Sequence, residues 1–170
     1  NSFKYELVES MALSLIIFIQ QRLFYKVSYF IILCKKIITL HETKKNLMTK
    51  KIVNTDHLIS AIIKAIDEIK GVDIQILDLR EIENTVCDYF IICSGTSNTH
   101  VNAISGIIQK QVSKNIKEKP WHIEGEGQAE WILLDYVNVV VHVFQKQVRA
   151  FYDIESLWGD AKITVIPTEK

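Results

Sequence analysis

The segment Tyr89-Phe-Ile-Ile-Cys-Ser94-Gly-Thr-Ser-Asn98 constrains the fold more than any other part of this chain. A strand sends alternate side chains to opposite sides, and here both sides are apolar, so the run belongs in the interior of a sheet covered on both faces. The polar turn Gly95-Thr-Ser-Asn98 follows directly, and Val101, Ile104, Ile107, Ile108, Val112 and Ile116 then recur at helical spacing. Strand, tight turn and helix are half of a β-α-β crossover, which points to an α/β architecture.

The rest of the second half of the chain fits around that unit. Leu58, Ile59, Ile62, Ile63, Ile66 and Ile69 form the apolar stripe of an earlier helix, with Asn54 or Thr55 available as its cap and Gly71 as its end. Residues 74–79 read as a strand, and residues 130–135 and 138–144 as two strands close enough to form a hairpin. A helix through Val148, Phe151, Ile154 and Trp158 and a short strand over 163–166 complete the chain. The order α-β-β-α-β-β-α-β predicts an α/β domain with a mixed sheet of about five strands flanked by helices.

Composition bounds the function. A chain of 170 residues, 48% of them hydrophobic, supports one core. Residues 1–47 carry seven Lys/Arg and three Asp/Glu, and residues 48–170 carry thirteen and seventeen, so the two parts stand at +4 and −4. A mildly acidic domain is poorly suited to a bare phosphate backbone, so little direct nucleic-acid contact is expected, and a basic protein surface is the more natural partner. Cys34, Cys87 and Cys93 show no Cys-x-x-Cys pair and no His at zinc spacing, so they read as small buried hydrophobes.

Residues 1–47 are set apart as a non-native or targeting extension, and 48–170 as the folded domain. Gln20, Gln21, Arg22 and Lys26 break the apolar stretch into runs of about eleven and eight residues, short of the roughly twenty that a bilayer span requires. No membrane span is expected. Met48-Thr-Lys-Lys leads into the first regular helix, which suggests Met48 as the start of the protein proper. A membrane-surface or targeting extension, such as a transit peptide, is the competing reading, so the expected compartment is the cytoplasm, or an organelle if the extension is a transit signal.

Enzyme chemistry finds little support in the residues. Amides at the start of the helix after Gly95, with the hydroxyls of Thr96 and Ser97, could hold a phosphate, but the same residues make an ordinary turn and cap. A nucleotidyltransferase needs paired carboxylates for magnesium, and Asp135 has Asn138, not a second acid, three residues on. His57, His100, His122 and His142 stand in no nucleophilic order with Ser94 or Ser97. The residues thus call for no cofactor, no metal and no catalytic group.

The hairpin offers a binding face instead. If Asp135 pairs with Asn138, then Leu133 faces Val140 and Trp131 faces His142, with Phe144 beyond. The opposite side, Ile132, Leu134, Val139, Val141 and Val143, is wholly aliphatic and forms the core. Trp131, with Asp135, Tyr136, His142 and Phe144 around it, has the make-up of a protein interface: large amphipathic anchors with a few orienting polar groups. The competing reading, equally weighted on these residues, packs Trp131 and Phe144 beneath another helix.

Three stretches, Asp88-Tyr-Phe-Ile-Ile-Cys-Ser-Gly-Thr-Ser-Asn-Thr-His100, Trp131-Ile-Leu-Leu-Asp-Tyr-Val-Asn-Val-Val-Val-His-Val-Phe144 and Arg149-Ala-Phe-Tyr-Asp-Ile-Glu-Ser-Leu-Trp158, together resemble the ribosomal silencing factor (Iojap) family. The resemblance runs from about Ile52 to the C-terminus. It implies a nucleotidyltransferase-like sheet and a translational repressor that binds the large ribosomal subunit through ribosomal protein L-fourteen and blocks joining of the small subunit. It tips the hairpin towards an interface, and it leaves a homodimer open. Family members more often carry a second Asp where Asn138 stands, a departure that weakens metal binding further. A nucleotidyltransferase-like, nucleotide-binding enzyme is the alternative function.

Overall fold

The computed structural model describes residues 55–83, 85 and 87–167. The expectations for residues 1–47, for Cys34 and for Asn54 as a cap lie outside the described residues. Among the described residues ten elements follow one another: α1 (Thr55–Glu68), β1 (Val72–Asp78), β2 (Tyr89–Gly95), α2 (Asn98–Ile116), β3 (His122–Glu124), β4 (Trp131–Asp135), β5 (Val139–Gln145), α3 (Lys146–Tyr152), α4 (Ile154–Leu157) and β6 (Lys162–Val165).

The strands make one mixed sheet of six, ordered β3-β4-β5-β2-β1-β6. As the doubly apolar sequence of β2 requires, that strand is interior, parallel to β5 from Tyr89↔Val139 to Gly95↔Gln145 and antiparallel to β1. The sixth strand, β3, was not expected. Three residues between Pro120 and Gly125 are too few to show a period of two, and only pairing with β4, His122↔Asp135 to Glu124↔Leu133, makes them a strand.

α1 and α2 cover one face. Leu58, Ile62, Ala65 and Ile66 of α1 and Val101, Ile104, Ile108 and Val112 of α2 close over Ile74, Ile91, Cys93, Ile132, Leu134, Val139, Val141 and Val143. Each such aliphatic side chain, fully removed from water, contributes about 2 kcal/mol, so this layer supplies much of the folding drive. α1 stops where Lys70 turns left-handed (φ 61°) and Gly71 N–H returns to the Ile66 carbonyl at 2.9 Å.

The last helix departs from expectation. It is two short helices, divided at Asp153, whose φ of 45° is left-handed and whose N–H is taken by the Arg149 carbonyl at 2.8 Å. The single stripe through Val148, Phe151, Ile154 and Trp158 is therefore broken, and Phe151 is left 42% exposed. α3 packs against β5 and β2. Ring contacts of Tyr152 with Trp131 and of Trp158 with Phe90 place α3 and α4 on the face opposite α1 and α2.

Candidate functional site

The hairpin register decides which side chains share that second face. β4 and β5 pair as Trp131↔Phe144, Leu133↔His142 and Asp135↔Val140. This is two residues away from the pairing of Asp135 with Asn138 that the sequence suggested. The cause is the turn: Tyr136 N–H donates to the Val139 carbonyl at 2.9 Å, Val137 sits at φ 76°, and Asp135 Oδ1 accepts the Val137 N–H at 2.7 Å. Asn138 is thus spent in the turn, with its Nδ2 donating to Asp88 Oδ2 at 2.9 Å. A shift of two preserves side-chain direction, so the division into an aliphatic face and a mixed face holds.

Trp131 is half-buried at the start of β4. Its ring stacks on Phe144 (4.7 Å between centroids, 24° between planes) and leans on Tyr152 (5.0 Å, 48°), while its Nε1–H donates to His142 Nδ1 at 3.3 Å. Gly125 sets the approach to this strand. It lies at φ 90°, and a Cβ there would stand 1.9 Å from the Trp131 carbonyl oxygen, so the loop can lie against β4 only with glycine at this position. Ala129 N–H closes the same loop on the Gly125 carbonyl at 3.0 Å.

Of the five residues assigned to a partner, only Trp131 reaches the surface. Asp135, His142 and Phe144 are buried on the Trp131 side of the sheet, at 1%, 3% and 0% exposure. Tyr136 departs from expectation altogether: it joins the aliphatic cluster beneath α1 and α2, and burial there raises its phenol pKa. His142 is enclosed by Phe90, edge-on at 4.7 Å, and by Trp131 and Phe144. Burial lowers its pKa from 6.5 to about 3, so the imidazole is neutral at physiological pH.

Several groups outside the five assigned to a partner also build this face. Phe90 of β2 joins it because β2 lies beside β5 in register Phe90↔Val140. Tyr152 arrives from α3, and Trp158 meets Phe90 edge-on at 5.5 Å. Arg149 pairs with Glu155 at 2.6 Å and also bonds the Asp73 carbonyl (2.6 Å) and Ser94 Oγ (3.0 Å). On the neighbouring edge strand His122 Nε2 contacts Glu124 Oε1 at 2.7 Å.

The turn after β2 is internally bonded. Ser97 Oγ caps α2 by accepting the His100 N–H at 3.2 Å, and His100 Nδ1 accepts the Thr96 N–H at 3.1 Å. His100 Nε2 lies 2.8 Å from the Ile69 carbonyl, tying the turn to the end of α1. Cys87 and Cys93 are buried free thiols, both raised in pKa by burial, Cys93 to about 12, so neither is a ready nucleophile. Among the described residues no three His, Cys, Asp or Glu side chains gather as metal ligands, and no helix is long and apolar enough to cross a membrane.

These features define an α/β domain whose mixed sheet has an aliphatic face under two helices and an aromatic face from which Trp131 reaches the surface. Residues 53–170 match the family model described as "Ribosomal silencing factor during starvation". The chain belongs to the ribosomal silencing factor family. It is 40% identical over 112 residues to the ribosomal silencing factor of Bacillus subtilis, covering 65% of this chain and 92% of the relative. It is also 36% identical over 107 residues to the chloroplastic Iojap protein of Zea mays, covering 61% of this chain and 44% of that one. A crystal structure of a Chromobacterium violaceum protein is similar at 33% identity with a TM-score of 0.59, covering 69% of this chain and 98% of that chain.

Proposed function

We propose that this protein represses translation by binding the large ribosomal subunit through ribosomal protein L-fourteen and sterically blocking the small subunit. The observation that carries this reading is the Trp131 indole, half-buried and braced by Phe144, Tyr152 and His142. An anchor already held in one orientation loses little freedom on binding, and a large aromatic surface in such a position is the commonest kind of interface hot spot. Blocking by occupancy needs no catalytic group, so the protein acts as a regulator and not as an enzyme. It works in whichever compartment holds its ribosomes, the cytoplasm or an organelle. His142 and Phe144 serve by supporting Trp131, and Asp135 serves by holding the hairpin turn through the Val137 N–H.

The test is capture of intact large subunits by the full chain and by Trp131→Ala, with ribosomal protein L-fourteen alone as a second ligand. Wild type should bind both, and the variant should lose both. Equal capture by the two proteins would refute the assignment.

A further inference from the structure

We propose that His142 is the positioning residue for the Trp131 indole, its Nδ1 accepting the indole N–H and thereby fixing the plane in which Trp131 meets its partner. The inference rests on the binding role proposed for Trp131.

Three observations carry it. First, the contact has only one chemical sense. An indole nitrogen can only donate, so at 3.3 Å from Trp131 Nε1 the His142 Nδ1 must be the bare nitrogen, and the ring proton resides on Nε2. Second, the acceptor cannot move. His142 is 3% exposed, has Phe90 edge-on at 4.7 Å and Phe144 nearly parallel at 6.1 Å, and stands between Leu133 and Ile92 across the sheet. A donor bonded to an immobile acceptor is itself held, and the Phe144 and Tyr152 rings packed on Trp131 restrict its tilt further.

Third, the arrangement works against stability. His142 Nε2 is buried with no hydrogen-bond partner among the described residues. A buried donor left unmade is unfavourable, and an apolar ring of the same shape would relieve it. The group that Phe would outperform as core has one evident use, the indole bond. Residues that burden the fold in this way are where a binding function is expected to reside.

Two substitutions separate positioning from packing. His142→Phe keeps a ring in the core but removes both the acceptor and the unbonded donor. His142→Asn is smaller, yet its amide oxygen sits close to where Nδ1 stands. Affinity for intact large subunits, melting temperature and the exchange rate of the Trp131 indole proton by NMR would be measured on both. His142→Phe should melt at or above wild type, exchange the indole proton faster and bind about tenfold more weakly, as expected when an anchor must be ordered on binding. His142→Asn should melt lower yet recover most of that affinity, with slow indole exchange restored. The proposal is overturned if His142→Phe binds as tightly as wild type, or if affinity simply follows melting temperature across the two variants. Should Trp131→Ala leave binding intact, the role proposed for Trp131 falls and takes this inference with it. If Trp131→Ala weakens binding while His142→Phe does not, only the positioning role fails.

Discussion

Arg149 and Glu155 form an ion pair at 2.6 Å across the break between α3 and α4, and both side chains are largely buried. The same guanidinium reaches the Asp73 carbonyl and Ser94 Oγ, so one side chain joins both short helices to β1 and β2. It fixes the position of α3 and hence of Tyr152 against Trp131.

Removing one partner should therefore be far worse than removing both. Arg149→Ala is expected to lower stability by about 3 kcal/mol or more, since Glu155 is left buried without its cation. The double variant Arg149→Met with Glu155→Leu should regain most of that loss. Urea unfolding of the three proteins checks this, and a single variant no less stable than the double one would contradict it.

Stability should fall in acid because of His142. Its folded pKa, about 3, lies below its ordinary value of 6.5, so between those limits the unfolded chain binds a proton that the native ring does not. The contribution is present above the upper limit and is lost as pH falls towards the lower, at no more than about 1.4 kcal/mol per pH unit for one proton. Denaturant unfolding at a series of pH values should show this slope in wild type and a shallower one in His142→Phe.

Gly125→Ala should damage the site without touching the aromatic face. The added methyl would meet the Trp131 carbonyl oxygen and force a residue with a side chain to hold a φ of 90°. A loss of about 1–3 kcal/mol is expected from the strain and the displaced backbone. Calorimetry gives the stability, and a more mobile Trp131 should appear in its NMR indole signal.

Much of this could be read from local pattern. The strict alternation of Ile132 and Leu134, then of Val139, Val141 and Val143, marked the core face, and a register error of two residues left it intact because side-chain direction repeats every two. Strand β2 declared itself interior by being apolar on both sides. The division of the last helix at Asp153 was hidden, because Asp merely tolerates the left-handed conformation and the apolar spacing runs on across it. The burial of His142 was hidden too, whereas that of Phe144 was one of two evenly weighted readings. They lie under Tyr152 and Trp131, and beside Phe90, through contacts that only the folded sheet creates. Of the five residues expected at the surface, Trp131 is there, His142 and Phe144 support it, Asp135 holds the turn and Tyr136 belongs to the opposite face.

The comparison of Trp131→Ala with Val141→Ala tests the central claim most directly, because the two positions lie on opposite faces of adjacent strands. Binding to large subunits, prevention of subunit joining and melting temperature would be measured for both. Trp131→Ala should stay folded with a modestly lower melting temperature, since it loses its ring contacts and the indole bond to His142, bind roughly thirtyfold more weakly, as loss of about 2 kcal/mol of anchoring implies, and no longer prevent joining. Val141→Ala should chiefly lower the melting temperature, through the cavity it leaves under α1 and α2. A Trp131→Ala protein that still binds and still blocks joining, or one that unfolds while Val141→Ala remains stable, would contradict the assignment of the aromatic face as the binding surface.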